Sequence, residues 1–427
     1  MKRKAILTAF MATVIAGSFL AGIFEPELRA QSGLPASIFS LKPGSEQKEL
    51  DPVNTYSKVL QLVNERFYGE TPGAKEMTYY AIRGMLNSLD DPYTRFLDPE
   101  EYRELREDNL GEFEGIGATL GGTPTKEGYV RVVRPIPGGP ADKAGLKKGD
   151  LITKVDGKSV QGMSVNQAVK IIRGKSRSIV RLTVKRSGVD KPLDISIERA
   201  PVEYPIVEYV MKEGNIGYVS LSQFNELSDQ KMTQAIQDLE AKGMKGLILD
   251  LRGNPGGLLD AAIDISSRFV EPGKGVVYIV ESGERPDLRR TNARKHLSRD
   301  WPLVVLVNRT SASASEIVAG AVKDNQAGTV MGTTTFGKGL VQTVMPLEGN
   351  SAAMITTHKY LTPSGKDINR GRDQRGGVHP DIEVDVTEED WLKGKDPQLT
   401  RALEFLHQKV GYKAPAKPQA GAASAKP

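Results

Sequence analysis

Gly246-Leu247-Ile248-Leu249-Asp250-Leu251-Arg252-Gly253-Asn254-Pro255-Gly256-Gly257 is the stretch whose reading decides the fold. Its first six positions form a nearly unbroken apolar run, bounded by glycine and too short for a typical helix. Such a run reads as a strand buried on both faces, the kind found in parallel sheets covered by helices. A glycine turn then opens a helical pattern over Gly257–Phe269. Leu303–Val307 is a second buried strand. Around these two lie a strand at Ile216–Leu221, a helix at Asp229–Ala241 and a strand at Val276–Val280. Alternation of this kind predicts an α/β core over residues 201–390.

Working outward, Phe113 to about Ala200 changes character. Tyr129–Val133 alternates like a strand, Leu151–Val155 is another, and Asp156-Gly157 marks a turn. Ser164 with Gln167 has capping-box spacing, followed by Val165, Val169 and Ile172 on one helix face. Short strands around one capped helix predict a small β domain over 113–200. Residues 51–110 carry helical periodicity and form an N-terminal helical region, with Asp98-Pro99-Glu100-Glu101 opening its third helix. A C-terminal helix is expected over 396–411. The tail 414–427, rich in Ala, Pro, Lys and Ser, is expected to be disordered. The architecture is thus multidomain α/β (α+β).

The 427 residues carry 58 Lys+Arg and 53 Asp+Glu, a formal net charge of +5. The charges are interleaved, so no nucleic-acid partner is indicated. Cysteine is absent, which excludes disulfides, thiolate metal sites and a cysteine nucleophile. The four histidines, His296, His358, His379 and His407, form no HExxH pair. No cofactor and no metal are expected. Met1-Lys2-Arg3-Lys4 followed by apolar Ala5–Phe24 has the layout of an export signal, residues 1–30 forming either a cleaved signal peptide or an uncleaved anchor of about 20 apolar residues. Everything after Phe24 is expected outside the cytoplasm, in the periplasm or cell envelope, with membrane contact only through that segment.

Three segments carry chemistry. Arg309-Thr310-Ser311-Ala312-Ser313-Ala314-Ser315-Glu316 follows the strand Leu303–Val307 and opens a helix, so Ser313 sits where free N–H groups favour a developing anion. The same residues also read as a capping box of Ser313 and Glu316. Thr335-Phe336-Gly337-Lys338-Gly339-Leu340-Val341-Gln342 holds a lysine that serves as a general base only if burial lowers its pKa, with Phe336, Leu340 and Val341 as desolvating neighbours. A plain surface turn is the alternative. In Asp250–Gly257, the N–H groups of Gly256 or Gly257 suit an oxyanion hole, and a simple strand-to-helix turn competes; a phosphate loop is a weaker alternative, since neither GxxxxGK(S/T) nor GxGxxG occurs here.

In this order the three segments resemble those of the carboxyl-terminal processing proteases, a family of serine–lysine peptidases with a PDZ domain. Leu89–Thr94, Phe96-Leu97 and Gly111–Gly117 resemble the stretch before that domain. Pro140-Ala141, Ala144–Leu146, Gly149-Asp150 and Asp156-Gly157 resemble the PDZ signature, while Tyr360–Gly365 and His379–Ile382 resemble the end of the catalytic domain. The resemblance implies a crotonase-like protease core and a serine endopeptidase with Ser313 as nucleophile, Lys338 as base and Gln342 as its support. It implies oxyanion donors at Ala314 and at Gly256 or Gly257. A Ser-His-Asp arrangement using His379 is the competing assignment. The PDZ-like domain is expected to bind substrates with apolar C-termini, through a nest at Gly115-Ile116-Gly117 and a groove along Val165, Val169 and Ile172. An activating adaptor protein and a homo-oligomer are further expected partners. Arg173-Gly174 either links the groove to the active site or caps its helix.

Overall fold

The computed structural model describes residues 50–121, 128–297, 300–371 and 376–412, apart from the side chain of Trp391. The export segment, the linker after it and the tail lie outside these residues. The chain divides into two units, Met1–Met77 and Thr78–Pro427. In the first, helix Pro52–Arg66 starts at Asp51, whose side chain accepts the Asn54 N–H at 3.0 Å, with Pro52 in the first turn. Helix Ala74–Asn87 crosses the boundary between the units.

The second unit is built on a six-stranded sheet. Its order is Val207–Lys212, Ile216–Leu221, Gly246–Asp250, Leu303–Val307, Thr329–Gly332 and Ile382–Glu383. The first pair is antiparallel and every later pair parallel. Every residue of Gly246–Asp250 and Leu303–Val307 is buried. Alternate side chains explain why. Leu247, Leu249, Val305 and Val307 pack with the helices Ser228–Ala241, Leu259–Phe269 and Ala314–Asp324. Ile248, Val304 and Leu306 face the other way, against Ala402 and Leu406 of helix Pro397–Lys409. With both faces covered, an unbroken apolar run is what the strands require.

A second, antiparallel sheet centres on the long strand Ser351–Leu361. Leu340–Leu347 pairs along one edge, and Arg95–Leu97 and Gly275–Glu281 share the other. Residues 51–110 are therefore not helical throughout. Arg95–Leu97 buries Phe96 and Leu97 in the sheet, and three residues are too few to show a strand period in the sequence. Along the chain, the small domain follows helix Pro99–Leu110 and precedes the main sheet. Its strands Ala118–Gly121, Val130–Pro135, Leu151–Val155, Ile179–Lys185 and Leu193–Glu198 pair antiparallel in chain order, beside helix Val165–Ile172. Ser164 and Gln167 do form the predicted capping box. Glu112–Gly115 pairs with Ala200–Glu203 as a two-stranded ribbon through which the chain enters and leaves this domain.

Candidate active site

Two adjacent parallel strands, Gly246–Asp250 and Leu303–Val307, end side by side, and the loops leaving them are laced together. Asn254 O accepts the Ala312 N–H and the Ser315 hydroxyl, both at 3.0 Å. Ser311 Oγ donates to Leu251 O at 2.8 Å, and Asn308 Oδ1 accepts the Gly253 N–H at 3.1 Å. Crevices at the carboxyl ends of parallel strands are the usual place for a site in an α/β sheet. At the end of this lacing Ser313 stands just ahead of helix Ala314–Asp324 with φ 53° and ψ −114°. A non-glycine residue on the positive-φ side is held there only by its surroundings.

Glu316 is the main part of those surroundings. It is fully buried, and its carboxylate takes four donors. These are the N–H of Ser313 at 2.8 Å, the hydroxyl of Thr335 at 2.6 Å, and the N–H groups of Gly337 at 2.7 Å and Lys338 at 2.9 Å. One side chain thus ties the backbone of the serine segment to that of the lysine segment. Burial pushes the Glu316 carboxyl up, and the four hydrogen bonds pull the other way. The capping-box reading of this segment is right that Glu316 reaches back to the Ser313 N–H. Its wider role depends on residues some twenty positions further on, which local spacing does not reveal.

Lys338 is half-buried, and burial together with the Arg95 charge lowers its amine below the ordinary lysine range, against the pull of Asp91 and Glu316. Phe336 is 40% exposed and lies under the Arg370 guanidinium. The Lys338 amine lies 4.6 Å from the centre of the Tyr93 ring. Gln342 donates to Thr356 Oγ1 at 3.2 Å. Among the described residues no hydrogen bond joins the Ser313 hydroxyl, the Lys338 amine and the Gln342 amide. All three nevertheless line one cleft of about 700 Å³, with Gly257, Ala314, Ile317 and Tyr360.

The two glycines separate. Gly256 N–H donates to Asn254 Oδ1 at 2.8 Å, whereas no acceptor among the described residues takes the Gly257 N–H. Gly257 also lines the cleft, and Gly256 does not. Neither position admits a side chain. A Cβ on Gly256 would stand 2.8 Å from Ser313 Cβ, and one on Gly257 would stand 1.9 Å from Phe224 O. Ala314 N–H, in the first turn of its helix, is likewise taken by no acceptor among the described residues, and Ala314 lines the same cleft.

In the small domain, a groove of about 290 Å³ runs between Ala118–Gly121 and the helix Val165–Ile172. Ile116, Gly117, Val169 and Ile172 line it, together with Phe113 and Leu120. Gly115 belongs instead to the connecting ribbon, paired with Ala200. Val165 does not line the groove either and packs against the domain's own core. At the end of the groove helix, Arg173 contacts Glu107 at 3.1 Å and the Tyr204 hydroxyl at 3.3 Å, and lies over Phe113. Its neighbourhood is thus the helix Pro99–Leu110 and the ribbon, and the helix end is capped by buried Arg199, which donates to Ile172 O at 2.8 Å.

Comparison with known proteins places this geometry. The model of peptidase family S41 matches residues 215–384, and a PDZ domain model matches 131–186. A carboxy-terminal-processing protease of Bartonella bacilliformis is 38% identical over 386 residues, 89% of this chain and 85% of that protein. The chain belongs to the carboxy-terminal processing proteases. The carboxy-terminal processing protease CtpA of Bacillus subtilis is 38% identical over 352 residues, 82% of this chain and 72% of that one. A solved Bacteroides fragilis structure in the S41 group shares the fold, with a TM-score of 0.53 at 16% identity over 86% of this chain and all of that one. As a carboxy-terminal processing protease the protein is a serine peptidase, a hydrolase of protein substrates with a PDZ domain.

For this protease, sequence reasoning missed Glu316 as an organiser and the segment Asp91–Arg95 as part of the site. The signal for the second lay in Leu89–Thr94, a stretch that resembles the family's but shows no chemistry in its spacing. His379 lies apart from the cleft. Its Nδ1 is 3.0 Å from Thr334 Oγ1, and it lines neither the Ser313 cleft nor the groove.

Proposed function

We propose that this protease is an exported endopeptidase in which Ser313 is the nucleophile and Lys338 the general base, acting on proteins selected by apolar C-termini. The observation that carries this reading is one cleft. It holds a strained serine, a lysine amine of lowered pKa, and two N–H groups, those of Gly257 and Ala314, that find no acceptor among the described residues. The neutral Lys338 amine takes the Ser313 proton as Oγ attacks the peptide carbonyl. The oxyanion is held by the Gly257 and Ala314 N–H groups at the helix N-terminus. Lys338 then returns the proton to the leaving amine, and water releases the acyl group from Ser313. Before attack, the amine turns from Tyr93 toward Ser313, and the Gln342 amide from Thr356 toward Lys338.

The groove at Gly117, Val169 and Ile172 suits an apolar terminal residue, and the backbone at Ile116-Gly117 its carboxylate, with the peptide added along Ala118–Gly121. Arg173 connects that groove to the elements before the core, so occupancy of the domain, or an adaptor bound to it, regulates the cleft. The basic and apolar first segment supports export to the periplasm or cell envelope. The N-terminal helices and helix Pro397–Lys409 are the surfaces offered for self-assembly.

The test is cleavage of an unstructured reporter ending in apolar residues. The account expects cleavage by the full protein, none by Ser313→Ala, and slower cleavage when the same reporter ends in acidic residues. Equal cleavage by Ser313→Ala would refute the nucleophile, and indifference to the tail would refute the groove.

A further inference from the structure

The segment ahead of the PDZ domain is joined by an unbroken chain of contacts to Gln342 and Lys338, which line the cleft. Asp91 Oδ1 accepts the Tyr93 N–H at 3.1 Å, and its other oxygen accepts the Thr94 hydroxyl at 2.6 Å. Thr94 Oγ1 in turn accepts the Thr356 N–H at 3.0 Å, and the Thr356 hydroxyl donates to Asp91 while accepting from Gln342. The tight turn 91–94 is thereby clamped to the strand Ser351–Leu361, next to the strand pairing of Arg95–Leu97. What the clamp presents to Lys338 is the face of Tyr93, 4.6 Å from ring centre to amine. Ring faces carry negative quadrupole and attract an ammonium, the more so where water is thin.

We propose that Tyr93 is a positioning residue for the base: its ring face seats the resting Lys338 ammonium and lies beside the charge while the lysine carries the proton from Ser313 to the leaving amine. Chemistry that moves a proton onto a half-buried amine needs a place for the resulting charge. The charged groups facing that amine are Asp91 and Arg95 from the clamp segment and Glu316 from the helix, with Arg370 beside Tyr93. The Glu316 oxygens already take four donors. Arg95 repels an ammonium, and Asp91 is committed to its own turn. The ring is the surface left to receive it. The inference rests on the reading of Lys338 as the base.

The experiment is the pH dependence of kcat/KM in full-length protein, whose rising limb reports the free-enzyme base. Tyr93→Phe keeps the ring face and is expected to keep the limb. Tyr93→Leu keeps apolar bulk without the quadrupole. Its limb is expected about half a pH unit lower, because the protonated form loses the ring's attraction, with a reduced plateau. Because Tyr93→Leu can also loosen the turn, Phe analogues of increasing ring fluorination at position 93 form the second series. They keep the shape and weaken the quadrupole stepwise, and the limb should fall stepwise with them. A limb that stays fixed across that series overturns the proposal. So does a Phe variant as shifted as the Leu variant, which would assign the effect to the hydroxyl. Lys338→Ala, run alongside, separates the two claims. If it stays active the base reading fails, and if it is inactive while the fluorinated series is flat, only the seat fails.

Discussion

At the residue scale the site is organised by a side chain that takes no direct part in the proposed chemistry. Glu316 holds Ser313 in a backbone conformation that costs on the order of 1–3 kcal/mol for a non-glycine residue, and it fixes the Lys338 backbone in the same act. Glu316→Gln would turn an NH2 group toward two of those donors. The expected result is a loss of about 1–3 kcal/mol in stability from unsatisfied buried donors, read by denaturant unfolding, and a fall in kcat larger than the change in KM. An unchanged kcat would show that the serine geometry does not depend on it. Ser313, Lys338 and Gln342 were picked out in the sequence by segments that resemble a family pattern, and the structure brings all three to one cleft. Their spacing did not show that Gln342 lies on the strand Leu340–Leu347 while Lys338 lies on the loop before it. A spacing of four residues places two side chains together on a helix, not across such a junction.

At the element scale the loops after two buried strands make the site, and glycine sets how close they come. Gly256 has φ 102°, and a Cβ there would press on Ala312 O at 2.7 Å as well as on Ser313. Gly256→Ala is therefore expected to abolish cleavage while the protein still folds, with a lowered Tm. Wild-type cleavage by that variant would mean the loops have slack that the contacts do not show. The strands themselves were plain in the sequence, since an apolar run buried on both faces has few other readings. Arg95–Leu97 was hidden for the opposite reason. Its identity as a strand comes from a partner more than 250 positions away, at Ala352–Met354, and three residues carry no period of their own. Local pattern reports local structure, and non-local pairing has to be found in the fold.

At the scale of the whole molecule, the C-terminal helix closes the second face of the main sheet and is pinned by charge. Arg252 reaches Asp250 at 2.6 Å and Asp396 at 2.8 Å, and Asp396 also accepts the Leu399 N–H at 2.9 Å at the start of helix Pro397–Lys409. Burial raises the Asp396 carboxyl, but the Arg252 guanidinium and the helix N–H groups outweigh it and hold it below its ordinary value. A carboxyl depressed in the folded state lends stability that is present above its unfolded pKa and lost as pH falls through the folded one. The Tm of wild type should therefore exceed that of Asp396→Asn at neutral pH. The gap should close as pH drops below about 4. A gap independent of pH would remove charge from the account. The helix was readable from its sequence; its anchor, joining residues 252 and 396, was not.

The most direct test of the central claim is the cleavage rate of Lys338→Ala beside Ser313→Ala, followed across pH with the unstructured apolar-tailed reporter. The account predicts that both lose cleavage by about a thousandfold or more, as residues acting as one unit do. It predicts too that the wild-type rate rises with pH along a limb lying below the ordinary lysine value of about 10.4. A Lys338→Ala enzyme that keeps the wild-type rate and limb while Ser313→Ala is inactive would contradict it, and would send the search for the base elsewhere in the cleft.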